Sequence, residues 1–487
     1  MLSLENYYKS FKSYDIRGIW GQEIDADLGY YMWLGLGNYI IEQTGSQATI
    51  MIAADTRANN TQLINNMLLW LSQAGCTHFV SAGKSFENYP HGICSTAMAM
   101  SLWYEVSDYS IIFSASHNTS EYIGIKTMKK WNFAIKTSVL KELFTEAFTN
   151  YQSQGFTPIT SDQALALYTP NDILEYPKKK LTDLLDRYFG QLTKPHHFAI
   201  DYGHGAAVAY ELDYIKTLTT HNKQLITKNL FTNPDGSFPA HETDTSRFSN
   251  YEKLSQSVQD SWWDFGFMFD GDADRLGIVL KNGTVMTGDI LTAIVAKQVL
   301  TNGIADEFGG KEVSYEVFSS KVVKETVTNN GGTSKMIRVG RGAFCEQFIA
   351  DKWLLAGESS AHILFGPFGY CEIPLLALAL ILKESEEFES FDAMAAYYMS
   401  TYKSQVYHFA VSDKDGLMKH VDESYPELTK SYVDGVRMDG ADFWFTVRKS
   451  GTEDIVKVAG EANTKEDFDR EWTKLKKIIT DFGGHEE

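Results

Sequence analysis

A chain of 487 residues, 44% apolar and 22% charged, carries enough hydrophobic surface for roughly three or four domains and is neither fibrous nor disordered. Its 63 acidic residues outnumber 44 basic ones, for a formal net charge of −19, which argues against nucleic acid or anionic membrane as partners. A small phosphorylated ligand is still compatible, provided that a few Arg, Lys and backbone N–H groups converge on it.

The four cysteines, Cys76, Cys94, Cys345 and Cys371, form no C-x-x-C pair, so buried thiols are expected rather than a zinc site or a disulfide framework. The N-terminal MLSLENYYKSFKSYD has no apolar core with a cleavage site, and no run of about 18 apolar residues follows. A cytoplasmic protein is expected.

Residues 25–44 place Leu28, Tyr31, Met32, Tyr39 and Ile40 at helical spacing behind Asp25 and Asp27, with Gly45 as a stop. The apolar run 48–55 then reads as a buried strand, and Leu63, Met67, Trp70 and Leu71 mark a second helix ending at Gly75. THFVSAG and SDYSIIFSAS look like further buried strands, so the opening reads as helices alternating with parallel strands. HFAIDYGHG (197–205), DFGFMFDGD (264–272) and GGKEVSYEVFSS (309–320) repeat the pattern of an apolar strand entering a polar or Gly-rich turn. In open α/β sheets, such carboxyl ends are where ligands collect. The last part differs: ADFWFTVR and IVKVAGEA form two strands around a turn, followed by a helix from about Thr464 with Phe468, Trp472, Leu475 and Ile479 on one face. No low-complexity linker and no repeat at a fixed period is visible.

Four loops carry chemistry. Ser114-Ala115-Ser116-His117-Asn118 follows a buried strand, where Ser116 is expected at an exposed strand end, with His117, Asn118 and Lys126 near enough to orient its hydroxyl or move protons. Asp270-Gly271-Asp272-Ala273-Asp274-Arg275 places three carboxylates at alternate positions in a turn, a set that suits one hard divalent cation. An EF-hand is excluded because Arg275 and Lys281 stand where Gly and Glu are needed. A phosphatase with Asp270 as nucleophile fits this loop and leaves the others unexplained. Gly357-Glu358-Ser359-Ser360-Ala361-His362 offers a carboxylate and hydroxyls suited to vicinal sugar hydroxyls. Arg448-Lys449-Ser450-Gly451-Thr452-Glu453 can cradle a phosphate through Arg, hydroxyls and backbone N–H groups. Taken singly, each also reads as a plain polar turn.

In this order the four loops resemble the α-D-phosphohexomutase family, most closely its bacterial phosphomannomutase/phosphoglucomutase branch. Tyr14-Asp15-Ile16-Arg17-Gly18, Asp55, Arg57, residues 201–205 and residues 234–239 extend the likeness nearly end to end. The resemblance implies three α/β domains with mixed sheets and a smaller C-terminal α+β domain around a central cleft, expected at 1–160, 161–284, 285–404 and 405–487. It implies that Ser116 carries the transferable phosphate, that Asp270, Asp272 and Asp274 bind Mg²⁺ beside it, and that Arg17 and Lys126 flank the reacting phosphate. Glu358, Ser360 and His362 would contact the sugar. Arg448, Ser450, Gly451 and Thr452 would hold the other phosphate, and Arg275 and Arg341 would be further cleft cations. The implied activity interconverts hexose 1-phosphate and hexose 6-phosphate, primed by a hexose 1,6-bisphosphate, in a monomer or homodimer.

Thr119, Ile123, Ala361, Asp454 and Lys457 depart from the family pattern, where Pro, Asn, Gly, Pro and Arg stand. Phosphoglucosamine mutase and a non-catalytic phosphosugar-binding relative are the alternatives.

Overall fold

The structure, a computed structural model, describes residues 2–12, 15–103, 106–151, 159–169, 175–340, 347–348, 350–450 and 454–486. Asp25 caps the first long helix, Ala26–Thr44, by accepting from the N–H groups of Asp27 and Leu28, and Gly45 ends it at φ 91°. Both signals were legible in the sequence.

The first sheet runs in the order Ile16–Ile19, Tyr122–Lys129, Tyr109–Phe113, Thr49–Ala54, His78–Ser81, with Phe133–Ala134 beside Tyr122–Lys129. The three central apolar runs are parallel. Tyr122–Lys129 pairs antiparallel with both Tyr109–Phe113 and Ile16–Ile19, so the runs read as parallel strands lie within the mixed sheet that was expected. The loop between Phe113 and Tyr122 is too short for a crossover, and a strand that returns directly can only pair antiparallel.

The same plan recurs twice. In the second sheet Leu225–Leu230, His196–Asp201 and Phe265–Phe269 are parallel and Leu276–Leu280 returns antiparallel. In the third, Thr333–Ile337, Glu312–Glu316 and Leu355–Gly357 are parallel, and Ile363–Phe365 returns antiparallel. The repeat is one of topology and leaves no fixed period in the sequence, because only the apolar character of the strands is shared. Its consequence is positional: the Ser116, Asp270 and Glu358 loops each join the third parallel strand to the antiparallel return. All three therefore open at strand carboxyl ends, where ligands bind in such sheets.

One apolar cluster spans the first three sheets, with Met98, Ala99 and Met100 packed among residues such as Phe198, Phe267, Leu291 and Leu376. The fourth sheet is antiparallel and holds its own core. The helix Lys465–Asp481 buries Phe468, Leu475 and Ile479 there, capped by Thr464. Polar anchors fix this unit to the third sheet. Arg437 Nη1 donates to the carbonyls of Val317 and Ser319, and buried Glu461 accepts from Ser320 Oγ and Trp444 Nε1. Cys76, Cys94 and Cys371 are buried; Cys345 lies outside the described residues. No helix among the described residues is long and apolar enough to cross a membrane.

Glu211 joins the first two sheets: it lies in the helix Tyr210–His221 and accepts from Ser95 Oγ. Burial pushes its carboxyl up to about 7, against the opposing hydrogen bond from Ser95. The unfolded chain ionises this group near 4.5. Its contribution to stability is therefore full below that pH and is lost as pH rises through about 7, by about 3 kcal/mol. Glu211→Gln should match the wild type at pH 4.5 and unfold at a higher midpoint at pH 8. Parallel pH dependences for the two proteins would contradict this.

Candidate active site

Ser116 adopts φ 52°, the left-handed region that costs a non-glycine residue about 1–3 kcal/mol. Arg57 supplies the compensation. Buried and paired with Asp55 at 3.1 Å, it donates from Nη1 to the carbonyls of Thr119 (2.6 Å) and Tyr122 (2.7 Å), and from Nη2 to those of Ser116 (3.0 Å) and Asn118 (2.6 Å). One guanidinium thus sets the backbone of the whole serine loop. Gly124 lets that loop fold back on the sheet, since a Cβ there would lie 2.1 Å from the Ser114 carbonyl.

The expected exposed serine is overturned: Ser116 is only 1% exposed. The aspartate loop of the second sheet lies on top of it, and that approach requires glycine at 271, where a Cβ would stand 2.6 Å from the Ser116 carbonyl. The Ser116 hydroxyl donates to Asp270 Oδ2 at 3.0 Å and lies 3.3 Å from His117 Nδ1.

Asp270, Asp272 and Asp274 are all buried, and their carboxylate oxygens come within 4.8 Å of one another. Asp270 Oδ1 accepts from the N–H groups of Asp274 and Arg275, which closes the turn. Lys126 Nζ reaches across from the first sheet to Asp272 Oδ2 (2.7 Å) and Asp274 Oδ2 (3.0 Å), and Thr96 Oγ1 also donates to Asp272. The charges remain unbalanced. Burial, with repulsion from Asp274 and Asp272, pushes the Asp270 carboxyl well up. Burial would raise Asp272 too, but Lys126 and its hydrogen bonds hold it well below the usual carboxylate range. Among the described residues, Asp272 Oδ1 and Asp274 Oδ1 are buried without a hydrogen-bond donor. Hard oxygen donors left unsatisfied around a negative centre fit a divalent cation such as Mg²⁺.

Arg275 connects this loop to the third sheet. Its backbone bridges that of His362, its Nε donates to His362 Nε2 at 2.9 Å, and its Nη2 lies 2.8 Å from His117 Nδ1. Arg275, then burial, then Arg17 hold His117 well below the usual imidazole range, so it is neutral. Glu358 accepts from Gly340 N–H at 3.2 Å and from Ser360 Oγ at 3.1 Å. A cleft of about 350 Å³ is lined by Arg17, Ser116, Lys126, Asp274, Arg275, Glu358, Ser360 and His362. Arg17 Nη1 holds Asn118 Oδ1 at 2.7 Å at its edge.

Arg448 and Ser450 do not line that cleft. Arg448 Nε donates to Asp434 Oδ2 at 2.7 Å, and the same oxygen accepts from Val339 N–H at 3.0 Å. Arg448 is thereby moored one residue from Gly340, which does line the cleft. Gly451, Thr452 and Arg341 lie outside the described residues.

Three family models match the chain in order: phosphoglucomutase/phosphomannomutase alpha/beta/alpha domain I at residues 8–154, domain II at 186–283 and domain III at 287–402. The chain belongs to this family of hexose-phosphate mutases. It is 29% identical to a phosphomannomutase of Methanocaldococcus jannaschii, over 96% of this chain and 97% of the relative. Identity to a phosphomannomutase/phosphoglucomutase of Pseudomonas putida is 26%, over 96% and 94%. The fold matches a phosphoglucomutase/phosphomannomutase family protein of Burkholderia thailandensis with a TM-score of 0.80 at 22% identity, over the full length of both chains.

The positions that depart from the family pattern are absorbed by the structure. Ile123 is buried in the core of the first domain, and Thr119 offers its carbonyl to Arg57. Ala361 takes φ 71° in the turn where the family has Gly, and its N–H donates to the Glu358 carbonyl at 3.0 Å. Asp454 is exposed beside Lys414, and Lys457 stands across the hairpin from Arg448. Sequence reasoning assigned no role to Arg57, Thr96 or Asp434. Arg57 had a signal, since it was among the family matches; Asp434 had none, because its partners are 14 and 95 residues away.

Lys126 faces two of the three carboxylates at hydrogen-bond distance. Lys126→Met should lower stability in metal-free buffer by about 3–5 kcal/mol, the usual result of leaving a buried charge unpaired. Denaturant unfolding of the variant against the wild type measures it, and a change below about 1 kcal/mol would show that the pair is dispensable.

Proposed function

We propose that the chain interconverts hexose 1-phosphate and hexose 6-phosphate of mannose, glucose or both, through a phosphoserine at Ser116 and a hexose 1,6-bisphosphate. The observation that carries this reading is the Ser116 hydroxyl, 3.0 Å from Asp270 and lining the same cleft as Glu358, Ser360 and His362. A phosphate on that hydroxyl would stand between the carboxylate triad and the sugar loop.

Asp270, Asp272 and Asp274 hold Mg²⁺ in this reading, and the ion when bound neutralises charge on the phosphate. Arg17 and Lys126 counter the charge that builds as the bond from Ser116 Oγ to phosphorus breaks and a sugar oxygen takes its place, and Lys126 assists the accompanying proton transfer. Glu358, Ser360 and His362 hold the sugar hydroxyls. Arg448 and Ser450, with Gly451 and Thr452, grip the phosphate that is not reacting. The bisphosphate then turns over and returns its other phosphate to Ser116, so the sugar loop must read hydroxyls that are similarly placed in both orientations.

Ser116→Ala should abolish turnover and change stability by only about 1 kcal/mol, since one hydrogen bond is lost. Incubation with hexose 1,6-bisphosphate carrying labelled phosphate should label the wild type at Ser116 and leave the variant unlabelled. Label on Asp270 instead would point to a phosphatase, and no label at all to a binding protein.

Arg448→Ala should weaken sugar-phosphate binding and lower turnover together, because energy from the remote phosphate also aligns the reacting end. Ser116 should still accept phosphate in that variant. Kinetics at the level of the wild type would remove Arg448 from the site.

A further inference from the structure

We propose that Glu372 is a positioning residue: its carboxylate fixes the tautomer and ring plane of His362, and through His362 it aims the Arg275 guanidinium at His117 beside Ser116. The role in turnover rests on the phosphohexomutase reading; the tautomer does not.

Strand register brings the two residues together. Cys371–Glu372 pairs antiparallel with Ile363–Phe365, with Glu372 opposite Leu364. His362 lies two residues before Leu364 and so shares its face, which makes it the diagonal neighbour of Glu372. Glu372 is 1% exposed, and its Oε1 lies 3.0 Å from His362 Nδ1.

Two independent partners dictate one protonation pattern. A carboxylate only accepts, so His362 Nδ1 carries hydrogen and donates to Glu372. A guanidinium only donates, so His362 Nε2 carries the lone pair that receives Arg275 Nε at 2.9 Å. The Nδ1–H tautomer satisfies both ends, and the ring cannot flip without losing both bonds. Arg275 is then held at one end by His362 and at the other offers Nη2 to His117 Nδ1, 2.8 Å away.

Asp274, His362 and Glu372 also bring potential metal-ligating atoms within 4.8 Å of one another. Their hydrogen bonding argues for the positioning role instead, since a ring that donates from Nδ1 and accepts at Nε2 has no lone pair left for an ion. Without Glu372 the ring can reorient and Arg275 loses its fixed hydrogen-bond acceptor, which leaves the guanidinium to the longer contacts with Asp244, Asp270 and Asp274 and loosens its aim at His117. Partners at this remove from a reacting centre commonly change activity about 10–100-fold when removed.

The test uses the full chain with ¹⁵N-labelled histidine, the His362 signals being assigned by their loss in His362→Gln. The wild type should show a protonated Nδ1 and an unprotonated Nε2; the opposite tautomer would overturn the proposal without any Glu372 variant. Glu372→Met should show a mixed tautomer and a kcat lower by about 10–100-fold, with the loss falling mainly on kcat rather than KM. Glu372→Gln keeps an oxygen acceptor and should retain the wild-type tautomer and most of kcat. Equal losses in the Gln and Met variants, or an unchanged tautomer and kcat in Met, would refute the role. If Met fails to fold, the wild-type and Gln spectra still decide. Absence of mutase turnover in the wild type would count against the functional reading and leave the tautomer measurement to stand alone.

Discussion

Three buried carboxylates in one turn set the terms for the rest of the molecule. Asp270, Asp272 and Asp274 descend from a single strand of the second sheet, and their mutual repulsion in a desolvated site makes that loop unfavourable alone. Lys126 answers from the first sheet, and Arg275 braces the loop against His362 of the third. The assembly of the first three domains is thus also the neutralisation of one loop. The charge that those two cations leave uncompensated is what a divalent ion and a phosphate would share.

A second constraint acts on Ser116. Holding Ser116 at a positive φ, beneath a glycine of another domain, requires a rigid loop, and Arg57 provides it with four carbonyl contacts. The Phe238 ring, from the second domain, stacks 5.2 Å from the same guanidinium. The serine is consequently placed by Arg57 and Phe238, which do not line the cleft. Such preorganisation holds the hydroxyl in one place without further reordering of the backbone.

The fourth domain is built differently, as an antiparallel sheet. It has a separate core and touches the third sheet through Arg437, Thr446 and Glu461, while Asp434 ties Arg448 to Val339. A small apolar cluster of Val317, Phe318 and Ala459, with Met336 and Val339 against it, reinforces that seam. A unit held largely by polar anchors is freer to shift than one fused into the common core.

The sequence by itself determined the elements, the loops and their order. Asp25 and Gly45 bounded a helix, apolar runs marked the sheet centres, and four short polar loops, read together, named the family. These signals are local, carried by residues adjacent in the chain. Tertiary structure alone decided that Ser116 is buried rather than exposed, since its cover comes from Gly271, 155 positions away in the numbering and on another sheet. It also decided that the three loops occupy one topological place three times over. Glu372 and Asp434 escaped notice for the same physical reason: a carboxylate acquires its role from the partner it faces, and strand register and domain packing choose that partner.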